Sequence, residues 1–207
     1  MIEQQKRLAG QVIQVDLVPD RIQTVAGVDV AFPGQGRTTR AAAVVMSYPA
    51  LELIDEAVVE LPTIMPYIPG LLSFRELPGV IKALESLSTT PDVVLCDGQG
   101  RAHPRRFGIA CHLGVETGLA TIGVGKSRLC GSHEEPGPHK GDRARLMDGD
   151  ECIGMVLRSR DRVRPLFVSV GHRVSLDTAV ALTLTCTPRF RLPEPIRRAD
   201  RLAGQSA

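Results

Sequence analysis

Short apolar runs dominate the first third of this chain and predict a group of strands. Residues 24–32, 40–48 and 51–61 are rich in Val, Ala and Leu, as half-buried or buried strands are. Pro49-Ala50 separates the last two runs and predicts the turn of a hairpin. The chain therefore opens with three strands, of which the second and third are expected to pair.

The rest of the chain alternates between helical and strand-like spacing. Apolar positions recur with the helical period from Leu77 to Leu87, and Pro78 suits the first turn of that helix. The other predicted helices are residues 2–12, 107–119 and 175–187. The other predicted strands are residues 93–96, 121–124, 152–158 and 165–170, and residues 131–143 form a loop. This order predicts a three-layer α/β domain in which helices cover both faces of a mixed sheet.

Length and cysteine usage limit the class of protein. With 207 residues and no linker rich in Ser, Gly or Pro, the chain is expected to form one domain over residues 1–207. It has no apolar run long enough for a membrane span and no apolar segment of the signal-peptide kind at its start. Five cysteines without paired spacing predict free thiols in a reducing compartment. We expect a monomeric cytoplasmic protein.

The charge pattern leaves two interpretations open. A net charge of +2 does not by itself indicate a nucleic-acid partner. Only four of the 25 basic residues are lysines, and arginines crowd residues 101–106, 158–164 and 189–201. A coding bias toward Arg explains this as well as phosphate contact does, although Arg binds phosphate with two parallel hydrogen bonds.

Three acidic residues stand where apolar runs end. Asp29 lies in the first strand, Glu76 precedes the first helix after the hairpin, and Asp97 closes the run that begins at Val93. A buried carboxylate is costly unless a cation or hydrogen bonds compensate it, and Mg²⁺ prefers such oxygen ligands. The pattern therefore predicts a metal-dependent phosphodiester enzyme. Asp177 is a possible fourth carboxylate, or else a partner for the dipole of the last helix.

Several sequence blocks resemble the endonuclease V family over nearly the whole chain. They are Val25-Ala-Gly-Val-Asp-Val30, Pro66-Tyr-Ile-Pro-Gly-Leu-Leu-Ser-Phe-Arg-Glu76, Asp97-Gly-Gln-Gly-Arg-Ala-His-Pro-Arg-Arg106, Thr121-Ile-Gly-Val124 with Lys126, and Gly171-His-Arg-Val-Ser-Leu-Asp177. The resemblance implies a ribonuclease-H-like fold. It also implies Mg²⁺-dependent nicking of DNA at the second phosphodiester bond 3′ to deoxyinosine, with Mn²⁺ able to substitute.

The resemblance also assigns roles to residues of the catalytic edge. Asp29 and Asp97 are implied as metal ligands, with Glu76 completing the acidic cluster. Lys126 is implied to contact phosphate near the scissile bond. His172 is implied to lie at the active-site edge, although a helix-entry residue bound to the backbone is the other interpretation.

A second set of residues is implied to contact the damaged DNA. Tyr67 is implied to wedge into the duplex, held by the stiff residues around it, although it could instead be a tyrosine packed over a proline-rich turn. The remaining implied DNA contacts are Pro66, Ile68, Pro69, Gly70, Gly98, Gly100, His103 and Arg105. His103 could equally fix its own loop. The chain departs from the family pattern at Gln99, and at Ser127-Arg128 where a second Lys is common.

Three rival functions follow from the same residues. Residues 120–127 match a relaxed phosphate-loop pattern, which would require a helix beginning at Lys126-Ser127. A catalytically silent nucleic-acid-binding module would keep Tyr67 and the arginines without needing the three carboxylates. An inosine-specific ribonuclease would use the same site, with contacts to a 2′-hydroxyl that the sequence does not reveal.

Overall fold

An eight-stranded mixed sheet runs through the computed structural model, which describes residues 1–205. The strands are β1 (Thr24–Ala31), β2 (Thr38–Ser47), β3 (Leu53–Pro62), β4 (Val93–Asp97), β5 (Ala120–Gly125), β6 (Arg143–Asp148), β7 (Glu151–Leu157) and β8 (Leu166–His172). Their order across the sheet is β3-β2-β1-β4-β5-β8-β7-β6. The predicted hairpin is confirmed, because β2 and β3 pair antiparallel on either side of Pro49-Ala50.

The centre of the sheet is parallel and both flanks are antiparallel. β1, β4 and β5 run in the same direction, while β2 pairs antiparallel with β1 and β8 antiparallel with β5. The register pairs Val28 with Cys96. Asp29 and Asp97 each follow one of these partners, so they reach the same edge of the sheet at the same level.

Helices cover both faces of the sheet, which confirms the predicted three-layer arrangement. They are α1 (Ile2–Ala9), the short turn α2 (Pro33–Gly36), α3 (Leu72–Glu85), α4 (Ile109–Thr117), α5 (Leu176–Thr185) and α6 (Glu194–Gly204). Helices α3 and α4 bury their apolar residues on one face, and α5 and α6 bury theirs on the other. Among residues 1–205, no helix has the length and apolar character needed to cross a bilayer.

Helix α3 begins earlier than the apolar period predicts. It starts at Leu72, so Pro78 lies inside it and Glu76 is a helical residue. A proline inside a helix costs about 3 kcal/mol, because it lacks the N–H that would close one hydrogen bond. Burial of Leu77 and Val80 against the sheet offsets this cost, at roughly 1.5–3 kcal/mol for each side chain. Strand β6 and helix α6 are also absent from the sequence-based prediction.

Candidate active site

Three carboxylates meet at the edge where the parallel strands end. Asp29 lies near the end of β1, Asp97 is the last residue of β4, and Glu76 reaches the same region from α3. The negative charges of Asp29 and Asp97 both act on Glu76, and Asp97 acts on Asp29. The structure therefore brings together the three acids that the sequence singles out.

These carboxylates are poorly compensated. Burial, with the nearby charge of Asp97, raises the pKa of Asp29 to about 7. Burial, with the charges of both aspartates, raises the pKa of Glu76 to about 8. Burial also raises the pKa of Asp97, although its contact with Lys126 opposes the change. A cluster of carboxyl groups whose raised pKa values favour their protonated forms is a typical cation-binding site.

Lys126 is the basic residue in direct contact with Asp97, while the charges of Arg75 and Arg191 act on Glu76 and Asp97. The Lys126 Nζ forms an ion pair with Asp97 Oδ2. Burial lowers the pKa of Lys126, but the hydrogen bond and charge of Asp97 raise it more, so the net pKa is raised. Its own carbonyl oxygen accepts a hydrogen bond from Arg191 Nη2 at 2.6 Å, which fixes the backbone of this segment. Lys126 is thus a charged group held beside the carboxylates.

A fourth carboxylate comes from α6 and is Asp200. Its side chain hydrogen-bonds Asp29, and its charge acts on Asp97 and Lys126. Helix α6 packs so closely on β1 that a Cβ on Gly27 would lie 2.1 Å from the Pro195 carbonyl carbon. Apolar residues at helical spacing between Ile196 and Ala203 were the available signal for α6. In the sequence, the arginines of this segment favour the phosphate-contact interpretation instead.

The predictions for His172 and Asp177 at this site are wrong. His172 pairs with Thr121 at the start of β5, whereas Asp97 pairs with Val124 near its end. The His172 ring is buried, and its Nδ1 accepts a hydrogen bond from the Ile13 amide at 3.2 Å. Asp177 is exposed in the first turn of α5, where it suits the helix dipole. Strand β8 runs antiparallel to β5, so it carries both residues toward the opposite edge.

The donor set suits a hard divalent ion, although the acids do not already form a closed cage. In the part of the chain that the structure describes, no three Asp, Glu, His or Cys side chains already surround one point as ligands do. Mg²⁺ does not require such a cage, because it usually keeps waters and binds one or two carboxylates together with substrate phosphate. Burial and mutual repulsion raise the pKa values of Asp29 and Glu76, so a cation bound here would favour their charged forms.

A cavity of about 190 Å³ opens beside the carboxylates. Its lining residues are Gln5, Tyr67, Gly70, Leu72, Ser73, Gly98, Gln99, His103, Phe107, Gly108, Ile109, Ser127, Arg128 and Leu129. Gly98 directly follows Asp97, and Ser127 directly follows Lys126, so the cavity and the acidic cluster share two segments. At Gly100 a Cβ would lie 2.1 Å from the Val170 carbonyl oxygen, which leaves no room for a side chain.

The turn formed by residues 66–69 projects from the protein at the mouth of this cavity. Tyr67 is 61% exposed and Ile68 is 37% exposed, and Pro66 and Pro69 are exposed beside them. Large apolar side chains are rarely left in solvent together without a binding role. This exposure argues against the interpretation of Tyr67 as packed over the turn.

His103 and Arg105 make their polar contacts within the protein. His103 is buried, its Nδ1 accepts from the Arg105 amide at 3.2 Å, and it hydrogen-bonds the Gly70 backbone. Burial lowers its pKa to about 4, so the ring is neutral at physiological pH. Arg105 donates to Gly70 and Gln5. Both residues fix their loop, while a direct DNA contact by either one stays a prediction.

The arginine clusters divide into structural and exposed residues. Arg158 is buried and donates to the Gly137 and Pro136 carbonyl oxygens, which anchors the loop of residues 131–143. Arg191 likewise donates to three carbonyl oxygens. The exposed arginines of these clusters are Arg160, Arg162, Arg164, Arg189 and Arg201. The arginines that are exposed to solvent therefore belong to the second and third clusters, and phosphate contact by any of them stays a prediction.

The phosphate-loop alternative is contradicted by the local structure. Residues 120–125 form β5, a buried strand, instead of a loop around phosphate. No helix begins at Lys126-Ser127, and the chain stays irregular as far as Gly131. The Lys126 side chain turns to Asp97. A nucleotide-binding role for this segment therefore has no structural basis.

The sheet order, with carboxylates gathered at the ends of its central parallel strands, defines a fold of the ribonuclease-H-like class. An Argonaute from Aquifex aeolicus shares this fold, with a TM-score of 0.55 and 15% identity over 89% of this chain and 28% of its own. Within that class, the family model for endonuclease V matches residues 6–201. The chain belongs to the endonuclease V family.

Relatives in this family align with almost the whole chain. Endonuclease V of Azotobacter vinelandii is 58% identical over 98% of this chain and 91% of its own. The crystal structure of endonuclease V from Streptomyces avermitilis has a TM-score of 0.92 and 48% identity, covering 97% of this chain and 89% of that one. A Ciona intestinalis endonuclease V, 27% identical with a TM-score of 0.83, was crystallised with a 24mer DNA containing an inosine followed by a ribo-adenosine. That match covers 97% of this chain and 93% of the Ciona chain.

Proposed function

We propose that this protein is a Mg²⁺-dependent repair endonuclease that nicks DNA at the second phosphodiester bond 3′ to deoxyinosine. One observation carries the proposal: a cluster of uncompensated carboxylates adjoins a cavity that is large enough for a base. Asp97 and Gly98 are consecutive residues that belong to the cluster and the cavity respectively. A base held in the cavity would leave its own backbone close to the acids.

Asp29 and Asp97 would hold the metal ion, with Glu76 and Asp200 completing its surroundings. When bound, such an ion neutralises phosphoryl charge and lowers the pKa of a bound water. Lys126 would then donate to a phosphate oxygen and stabilise the negative charge that develops in the transition state. Lys126 is ion-paired with Asp97 and partly exposed, so its ammonium group would lie beside a phosphate bound at this edge.

Tyr67 and the cavity would select the damaged base. Extrusion of a base costs less when it pairs poorly, as a deaminated base does, and this difference gives part of the selectivity. Tyr67 would fill the gap left in the duplex, because it stands exposed at the cavity mouth. Apolar residues such as Leu72 and Ile109 would pack on the base.

Inosine-containing RNA is the second candidate substrate. The Ciona relative bound a DNA in which a ribo-adenosine follows the inosine, so that family member accommodates a 2′-hydroxyl next to the lesion. If the same holds here, the enzyme would accept a ribonucleotide beside inosine.

The test is a nicking assay on labelled strands with and without one inosine, as DNA, as RNA and as DNA with a single ribonucleotide after the inosine. Each strand is incubated with Mg²⁺, Mn²⁺, Ca²⁺ or EDTA, and the product is sized beside a marker for the second 3′ bond. Nicking only with inosine and only with Mg²⁺ or Mn²⁺ supports the proposal. Nicking in EDTA, or equal nicking of undamaged strands, contradicts it.

A further inference from the structure

Gln5 is a buried polar residue on a helix that is otherwise largely exposed. It is 1% exposed, and Leu8 is the only other residue of α1 that is buried. It also lies just before residue 6, where the family match begins. Burial of an amide side chain is unfavourable unless its hydrogen bonds are made. The partners of Gln5 therefore indicate why a glutamine stands here.

The Gln5 side chain hydrogen-bonds to two residues of the cavity wall, Gly70 and Phe107, and to Arg105. Its Nε2 donates to the Gly70 carbonyl oxygen at 3.0 Å and to the Phe107 carbonyl oxygen at 3.3 Å. Its Oε1 accepts from Arg105 Nε at 2.6 Å. Gly70 ends the exposed turn that carries Tyr67, and Phe107 belongs to the loop that follows Asp97. One amide group thus joins the two segments on either side of the cavity.

Arg105 hydrogen-bonds to both Gln5 and Gly70. Its Nη2 donates to the Gly70 carbonyl oxygen at 2.6 Å, so that oxygen accepts two hydrogen bonds. Gly70 has φ +76°, and a Cβ there would lie 2.7 Å from Arg105 Nη2. Both the backbone conformation and the close approach favour glycine. The turn therefore lies against the loop, where Gly70 is held by hydrogen bonds with Gln5, Arg105 and His103.

We propose that Gln5 is a positioning residue for lesion recognition: it holds the turn of residues 66–70 against the cavity loop and so sets where Tyr67 stands. This inference rests on the proposed function of the cavity and the turn. Gln5 touches neither the carboxylates nor Lys126, so its loss should act on selection of the damaged base more than on phosphodiester cleavage. Stacking of a base is worth about 1–3 kcal/mol, so misplacing Tyr67 should cost roughly tenfold in preference for inosine.

Gln5→Glu is the sharpest variant. It keeps the size of the side chain and the acceptor for Arg105, but it removes the donor and sets a carboxylate against two carbonyl oxygens. Gln5→Ala removes the whole amide. Leu8→Ala is the matched control, because Leu8 packs against Phe107 and Cys111 from the same helix without touching the turn. Affinity for fluorescent duplexes with and without one inosine is measured in Ca²⁺, and 2-aminopurine beside the inosine reports strand opening.

The inference predicts that both Gln5 variants lose roughly tenfold of the inosine preference and part of the 2-aminopurine signal. Their nicking of the inosine strand should fall more at subsaturating than at saturating enzyme, as expected when binding is weakened more than cleavage. Leu8→Ala should lose thermal stability but keep the preference. Wild-type preference in Gln5→Glu would overturn the inference and leave the proposed function standing, as would unfolding of both Gln5 variants. A wild-type protein that does not distinguish inosine would overturn both.

Discussion

Asp16 and the acids of the candidate active site differ in how well the protein compensates their negative charge. Asp16 accepts hydrogen bonds from the Ser175 amide, the Ser175 hydroxyl and the Thr178 hydroxyl, at 2.7–2.9 Å. Although partial burial raises the pKa of Asp16, these bonds lower it more. Burial and the charge of neighbouring carboxylates outweigh the favourable contacts of Asp29 and Glu76, and their pKa values rise to about 7 and about 8.

The difference separates a structural carboxylate from a candidate catalytic one. Asp16 fastens the chain to the start of α5, and its charge is satisfied within the protein. The acids at the end of β1 and β4 need a cation from outside to become fully charged at neutral pH. His172 is a structural residue like Asp16, since its ring Nδ1 accepts a hydrogen bond from the Ile13 amide. Compensation distinguishes functional from structural polar groups here better than sequence position does.

Loss of a carboxylate from the uncompensated group should have the largest effect. Asp97→Asn removes the charge at nearly constant size, and we expect nicking of an inosine strand to fall by on the order of a hundredfold or more, since even outer-shell changes cost 10–100-fold. Asp16→Asn is the control and should lower thermal stability while leaving the rate per folded molecule unchanged. A near-normal rate in Asp97→Asn would remove the contrast between the two groups.

Lys126→Ala should follow, with single-turnover nicking slowed by about a hundredfold, because one lost donor to a developing oxyanion costs 10²–10³. The fold should survive, because the Lys126 side chain is partly exposed. Lys126→Arg is the matched variant that keeps the charge. If Lys126→Ala nicks normally, Lys126 serves only to balance Asp97 in the absence of metal.

The three acids could be predicted from the sequence because each stands where an apolar run ends, and the ends of parallel strands share one edge. The role of Lys126 was implied by the family resemblance instead. Sequence reasoning gave the right sheet and layers, since local periodicity and burial agree there. It placed the start of α3 wrongly because Pro78 breaks the local rule and packing against the sheet overrides it. The sequence indicated Asp177 and gave no indication of Asp200, because the direction of β8 and the path of α6 depend on long-range pairing.

A comparison of Asp200 with Asp177 should show a smaller effect on nicking than the two preceding variants. Asp200→Asn removes a carboxylate that hydrogen-bonds Asp29, and we expect about a tenfold loss of nicking, as for supporting groups around a metal. Asp177→Asn changes an exposed residue at the start of α5 and should leave the rate unchanged. Rates of both variants are measured over a series of Mg²⁺ concentrations. Equal rates for Asp200→Asn and the wild type at every concentration would place Asp200 outside the site.

The smallest expected effect is a change in the free energy of unfolding between about pH 6.5 and pH 8 in EDTA. Histidines contribute little in this window, because their unfolded pKa lies near 6.5 and burial lowers the folded values of His103 and His112 to about 4. Asp29 and Glu76 have raised pKa values, so the native protein holds protons that the unfolded chain has released near pH 4. The native state binds more protons than the unfolded chain, so the free energy of unfolding must fall as pH rises toward the folded-state pKa values of Asp29 and Glu76.

Thermal melts in EDTA and in Mg²⁺ test this linkage across the window. We expect Tm in EDTA to fall by on the order of 2–4 °C, a change that corresponds to about 1 kcal/mol. The gain from Mg²⁺ should be larger at pH 8 than at pH 6.5, because a cation favours the charged carboxylates. Glu76→Gln should flatten the EDTA profile, whereas Asp16→Asn should leave its slope unchanged. A Mg²⁺ gain that does not vary with pH would show that the two groups of acids do not differ in compensation.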